Sequence, residues 1–307
     1  MIASIDDGIE HQPVLLEEVM GFLAPSSSGI YCDATLGLGG HATAILERSS
    51  PDGRLLGIDR DPEALERAAT RLGNFGDRVR LIHGRFGSLR ELLASEGVSA
   101  VDGCLVDLGV SSMHLDRPER GFSFRRAGPL DMRMDQSQGG TAADFLRRAD
   151  VVEIESVLRD LGEERYARRI ASAIVSTRDA EDLSTTGALA ELIARVVPSR
   201  ERGKDPATRT FQALRIAVND ELGEIERFMA DAPGCLRPGG RLVVVSFHSL
   251  EDRIVKRRMR SLASSAVTDG PRLRLLTKHV VVASDRERAA NPRSRSAKLR
   301  AAERLPS

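Results

Sequence analysis

DATLGLGGH, residues 33–41, decides how the rest of this chain is read. It follows a short apolar stretch, Ile30–Asp33, and precedes a helical stretch, Ala42–Arg48. A strand, a glycine-rich turn and a helix in that order form the first half of a βαβ unit. Gly37, Gly39 and Gly40 let the backbone approach a ligand closely and supply positive φ where the turn needs it. Arg54–Asp59 (RLLGID) reads as a second buried strand, and its last residue, Asp59, lies 20 positions after Gly39. An acid at that place can accept the ribose hydroxyls of an adenosine.

The alternation continues outward from there. Asp61 is placed to cap the next helix, Pro62 occupies its first turn and Gly73 follows its end. Val79–His83 is a third strand, Ser88–Ser95 a helix and Val101–Asp107 a fourth strand. Strands separated by helices predict a parallel sheet. From about Ser111 to Thr210 no strand pattern recurs. A Gly/Pro/Arg-rich stretch opens this region. Helical patterns follow at Ala143–Ala149, Val151–Leu161, Glu163–Thr177 and Ala188–Val197, then the polar loop PSRERGKD (198–205) and a long helix from near Pro206. Strand character returns at Arg241–Phe247 after the turn RPGG (237–240), and Arg272–Leu276 with His279–Ala283 predict an antiparallel edge pair. The fold class is therefore α/β, with an α-helical insertion after strand four. Residues 1–110 and 213–307 form the sheet domain, and 111–212 the insertion, a candidate substrate-recognition domain.

Two cofactors fit such a sheet. Gly37-x-Gly39-x-x-Ala42 matches the dinucleotide pattern. S-adenosylmethionine (SAM) enzymes instead place an acid at the end of strand one, where it meets the cofactor's amino group, and Asp33 stands there. His41 would crowd a pyrophosphate at the helix N-terminus. The antiparallel pair after strand five also fits a class I, Rossmann-like methyltransferase sheet, so SAM is favoured over NAD(P). Ligands bind outside the carboxyl ends of such strands. Phe86, just past strand three, can stack on adenine or serve as a core residue of the following helix. Asp107 ends strand four as a cofactor contact, a catalytic group or a loop acid, and His114 lies seven residues beyond it.

Bulk properties narrow the class. The 307 residues carry 45 Lys+Arg and 45 Asp+Glu, a formal charge of zero, with 41% hydrophobic and 29% charged residues. This is a globular composition. No run approaches the roughly 18 apolar residues of a membrane span. Met1–Glu10 has neither a basic nor an apolar signal region. Cys32, Cys104 and Cys235 are isolated, which predicts buried thiols in a reducing cytoplasm and no zinc ribbon. The neutral total hides an asymmetry. Arg253–Arg304 holds 15 Lys/Arg against 4 Asp/Glu, a net +11, so the remainder is acidic. Arg293, Arg295, Lys298 and Arg300, interleaved with Ser294 and Ser296, suit phosphate contact. Phe122 and Phe124 in RGFSFRR can stack on RNA bases or pack onto the insertion.

Several blocks together resemble one family. HQPVLLEEV (11–19), DATLGLGGH (33–41), DLGVSSMHLD (107–116), ALRIAVNDEL (213–222), SFHSLEDR (246–253) and NPRSRSAKLR (291–300) resemble the RsmH (MraW) family of ribosomal small-subunit RNA methyltransferases. The resemblance implies SAM-dependent N4-methylation of a cytidine in the decoding region of 16S rRNA, position 1402 in customary rRNA numbering. It implies cofactor contacts at Gly39, Gly40, His41, Asp59, Phe86, Asp107 and His114, the last a position where the family often has Gln. The implied partner is 16S rRNA within the small ribosomal subunit, and a homodimer is compatible with the sequence. Asp107 is the candidate catalytic acceptor for the cytosine amino protons. The Asp/Asn/Ser-Pro-Pro-Tyr/Phe motif of DNA amino-methyltransferases is replaced here by Asp107-Leu-Gly-Val-Ser-Ser112. Other readings are a DNA amino-methyltransferase, an NAD(P)-dependent oxidoreductase and a non-catalytic ribosome-assembly factor.

Overall fold

The computed structural model describes residues 13–198, 205–264 and 270–306. The acidic opening Met1–Glu10 and most of the PSRERGKD loop lie outside them. The chain divides into two compact units, 1–109 with 227–307, and 110–226.

The first unit is built on one eight-stranded sheet. Its strands are β1 (Ile30–Asp33), β2 (Arg54–Asp59), β3 (Val79–His83), β4 (Val101–Asp107), β5 (Leu236–Ser246), β6 (Leu273–Leu275), β7 (Val281–Val282) and β8 (Lys298–Arg304). The order is β3-β2-β1-β4-β5-β8-β6, with β7 also on β8. Strands β1 to β5 pair in parallel, and β8 runs antiparallel to β5. The RPGG segment is a bulge inside β5, where the register jumps from Val101↔Leu236 to Gly103↔Arg241.

The helices in chain order are α1 (Leu16–Leu23), α2 (Gly40–Arg48), α3 (Pro62–Leu72), α4 (Leu89–Ser95), α5 (Ser112–Asp116), α6 (Ala142–Arg148), α7 (Val151–Gly162), α8 (Ala167–Thr177), α9 (Thr186–Val196), α10 (Thr208–Asn219), α11 (Glu221–Cys235), α12 (Ser249–Leu262) and α13 (Asp285–Ala290). Local chemistry sets their starts. Asp61 accepts from the Glu63 N–H ahead of Pro62. Thr141 and Asp144 form a reciprocal capping box, and Asp150 and Thr185 cap α7 and α9. Val19, Leu23, Ile45 and Leu46 pack with Leu105, Val243, Val245, Leu299 and Ala301 in the core of the sheet unit. Cys32, Cys104 and Cys235 are buried free thiols. Among the described residues, no helix is long and apolar enough to cross a membrane.

The second unit has its own core, which joins Leu146, Ile154, Leu158, Ile170, Ile174, Leu189, Ile193, Phe211 and Leu214. Three expectations change here. The long helix from Pro206 is two helices, separated where Asp220 turns left-handed (φ 50°). The sheet unit resumes at Arg227 rather than 213, because α10 buries Phe211, Ala213 and Leu214 in the helical core. The predicted edge pair does not form. β6 and β7 each pair with β8, at opposite ends of it, rather than with each other. The segment 298–304 is thus an interior strand of the sheet.

Candidate functional site

Three carboxylates end three strands of the sheet unit: Asp33 on β1, Asp59 on β2 and Asp107 on β4. The glycine-rich loop ties them together. The Thr35 N–H donates to Asp33 Oδ1 (3.2 Å), and Thr35 Oγ1 accepts from the Asp107 N–H (2.6 Å). The Gly37 N–H donates to Asp59 Oδ2 (2.8 Å), and the Asp61 N–H to Asp59 Oδ1 (2.9 Å). Gly37 (φ 52°) and Gly39 (φ 77°) take left-handed conformations that a β-carbon penalises, and Gly39 is the N-cap of α2.

His41 stands in the first turn of α2, buried. Its Nε2 lies 3.0 Å from the Val14 carbonyl oxygen, which can only accept, so Nε2 carries the proton. Nδ1 then faces Asp107 Oδ2 at 3.8 Å, an electrostatic contact beyond hydrogen-bond range.

The electrostatics of the cluster are unfavourable to its own charge. Burial pushes the Asp33 carboxyl up to about 7, against the Thr35 N–H that lowers it and with a further rise from Asp59. Burial also pushes Asp107 well above the carboxylate range, helped by the charges of Asp33 and Glu251. A quarter of the Asp107 side chain is exposed, yet Oδ1 is buried with no hydrogen-bond partner. Such an orphaned acceptor is costly. Buried acids around an unmet acceptor suit a cationic ligand, and SAM carries both a sulfonium and an ammonium. The residues present fit that cofactor.

Phe86 follows β3 in a short 3-10 turn, half-buried, with its ring edge-on to Phe228 (5.7 Å between centroids). His114 belongs to the helical unit. Its Nδ1 accepts from the Ser111 N–H (3.2 Å), and its ring stacks on Phe122 (4.8 Å, 26°). Phe124 packs edge-on against Phe211 in the helical core. Both phenylalanines thus pack within the helical unit, Phe122 buried and Phe124 half-buried, in line with the second of the two readings left open by the sequence.

The basic segment is only partly free for a ligand. Arg295 is exposed, and Arg293 and Lys298 are half-buried. Ser294 is buried, with its hydroxyl donating to the Asn291 carbonyl (2.8 Å). Arg300 departs from the expected phosphate role. Its guanidinium grips Asp252 in two bonds (2.6 and 3.2 Å), with the two side chains 12% and 16% exposed.

Sequence reasoning passed over Thr35 and Glu251. Glu251 Oε2 accepts from the N–H groups of Phe247 (2.7 Å) and His248 (3.2 Å), and its charge bears on Asp107. The His-x-x-Glu spacing within SFHSLEDR signals this cap.

A parallel five-strand core with an antiparallel β8, a glycine-rich loop after β1 and acids closing β1, β2 and β4 define a class I methyltransferase fold. The chain belongs to the MraW methylase family, whose model matches residues 8–305. The ribosomal RNA small subunit methyltransferase H of Trichlorobacter lovleyi is 52% identical over 96% of this chain and 98% of its own. The enzyme of the same name from Geobacter sulfurreducens is 53% identical over 96% of this chain and 99% of its own. A third, from Granulibacter bethesdensis, is 50% identical over 96% and 91%.

Proposed function

We propose that the protein is a cytoplasmic, SAM-dependent rRNA (cytosine-N4-)-methyltransferase. Its substrate in this reading is cytidine 1402, in the decoding region of 16S rRNA, within the small ribosomal subunit. One observation carries the chemistry: a half-buried carboxylate, Asp107, whose Oδ1 is buried and unmet at the end of β4, with the charges of Asp33 and Glu251 bearing on it. Membership of the MraW methylase family and three relatives named as ribosomal RNA small subunit methyltransferase H support the RNA substrate. The base and its position rest on the motif blocks.

The cofactor, SAM, supplies a methyl group on a sulfonium that leaves as a neutral thioether, so no metal is needed to activate the leaving group. The chain's task is to hold the cation and prepare the nucleophile. In this reading Asp59 accepts the ribose hydroxyls, pre-oriented by the N–H groups of Gly37 and Asp61. Asp33 meets the ammonium, Phe86 lies along the adenine, and Gly39, Gly40 and His41 shape the loop around the methionine portion. His114 is the remaining cofactor contact implied by the family resemblance. The cytosine N4 lone pair is conjugated into the ring, so an acceptor for an amino proton favours the pyramidal, reactive form. Asp107 would take that role, accepting the proton that N4 gives up when it is methylated. Positioning supplies much of the remaining rate. The helical unit recognises the RNA, and Arg293, Arg295 and Lys298 contact its phosphates.

The test is to map modified nucleosides in 16S rRNA from cells lacking the protein. Loss of N4 methylation at 1402, restored by the wild-type gene but not by Asp107→Asn, is the expected result. An unchanged 1402, or a loss at another base, overturns the assignment.

A further inference from the structure

α12 is basic on the side away from the core. Leu250, Val255, Met259 and Leu262 are buried, whereas Arg253, Arg257 and Arg260 recur at i, i+4 and i+7 and are exposed. Beside this ridge lies a small concavity that opens to solvent. Four of its lining residues are cationic: Lys256 and Arg260 from α12, Lys278 beyond β6, and Arg300 from β8. Among the described residues, Lys256, Arg260 and Lys278 have no anionic partner. The fourth, Arg300, is fixed by its bidentate bond to Asp252 through Nε and Nη2. Thr277, nearly buried, adds a hydroxyl to the wall. Like charges gathered around one concavity repel one another, and the fold supplies no counter-charge to three of them.

We infer that this cavity is a phosphate-binding site that seats the backbone of the rRNA substrate, through Lys256, Arg260 and Lys278, apart from the carboxylate cluster and the 293–298 segment. The ligand class is a phosphodiester strand. A rigid Arg300 orients the site, the three unpaired cations neutralise the strand, and the ridge of Arg253 and Arg257 carries the positive surface onward along α12. This inference rests on the reading that the substrate is RNA.

The test uses the full-length protein, a 16S rRNA fragment carrying the decoding region, and salt between 0.05 and 0.2 M. Each phosphate contact contributes about 0.7 to the slope of log affinity against log salt for a single strand. Removing three contacts in Lys256→Ala/Arg260→Ala/Lys278→Ala should therefore lower the slope by about 2, or about 100-fold in affinity at 0.1 M salt. SAM affinity should stay at the wild-type value, which also reports that the variant is folded. A single exposed change, Lys278→Glu, should lower the slope on its own by at least one contact. An unchanged slope in both variants overturns the site, and so does a weaker affinity at unchanged slope. Wild-type protein with no salt-dependent RNA affinity overturns both the site and the RNA reading. A different methylated base in the nucleoside map overturns only the latter's choice of base and leaves this test standing.

Discussion

Binding of the cofactor should expel protons, because a cation enters a cluster of acids that are partly protonated without it. Asp33 titrates at about 7, so at pH 7 half of the molecules hold a proton there. A bound ammonium and sulfonium favour the ionised form. If they carry the Asp33 carboxyl back toward its ordinary range, binding releases about half a proton at pH 7 and nearly one at pH 5.5. Affinity then scales with the ionised fraction of the free protein. It should weaken about 15-fold from pH 7 to pH 5.5 on account of Asp33 alone, and Asp107, raised by burial, steepens the fall. This window lies below the range in which an α-amino group itself titrates. The assay is calorimetric titration of SAM in buffers of different ionisation enthalpy. The heats should differ between buffers in proportion to the released protons, and Asp33→Asn should flatten both the buffer and the pH dependence. The same carboxyl makes a stability prediction of opposite sense. Its pKa is raised on folding from 3.8 to about 7, so its contribution is full below pH 4 and is lost as pH rises through 7. The loss amounts to up to about 4 kcal/mol at 1.36 kcal/mol per unit. Asp33→Asn should therefore melt several degrees higher than wild type at pH 8 while binding SAM more weakly. A Kd that is flat between pH 5.5 and 7, with heats independent of buffer, would refute the argument.

Three further outcomes can be checked directly. Asp252→Ala strands the Arg300 guanidinium in a largely buried place and should cost about 3 kcal/mol in chemical denaturation, most of it recovered in Asp252→Leu/Arg300→Met; equal stability of wild type and Asp252→Ala would show the pair to be idle. Gly121 sits at φ 75°, where a β-carbon would lie 2.6 Å from the Asp131 nitrogen and against the Pro129 carbonyl, so Gly121→Ala should cost about 3 kcal/mol, read as a lowered melting temperature. Arg293→Ala/Arg295→Ala should weaken RNA binding with the melting temperature and SAM affinity retained, in contrast to Arg300→Ala, which should lower the melting temperature; RNA affinity unaffected by the first variant removes that segment from the interface.

The parts of the fold written in short-range pattern were legible in the sequence. β1 to β4 are brief apolar runs bounded by glycine, proline and capping acids, and each ends on or beside the residue that matters, so Asp33, Asp59 and Asp107 could be picked from the strand ends. What was not legible depends on partners far along the chain. KLRAAER carries Lys, Ala and Glu, which are poor strand formers, and becomes β8 only because β5 offers it an edge, pairing Val245 with Leu299 and Arg241 with Glu303. Arg300 looked like a free cation because its carboxylate is 48 residues away. For Phe124 the sequence left stacking on RNA and packing onto the insertion both open, because Phe211, its partner, lies in another helix. At the site, Thr35 gave no signal because its role is a pair of hydrogen bonds across two strand ends, and Glu251 acts on Asp107 through space.

The place of β8 bears on how the molecule is made. The strand is inserted between β5 and the β6–β7 edge, so residues 298–304 are the last laid into a sheet whose first strand is residues 30–33. Until Arg304 has emerged during synthesis, β5 presents an unpaired edge to the solvent, and such edges invite pairing with other chains. The sheet unit therefore completes after translation has passed through the whole helical unit, whose core lies within 130–214 and can close earlier. The order of synthesis thus delays the finished sheet until β8 has followed the whole helical unit.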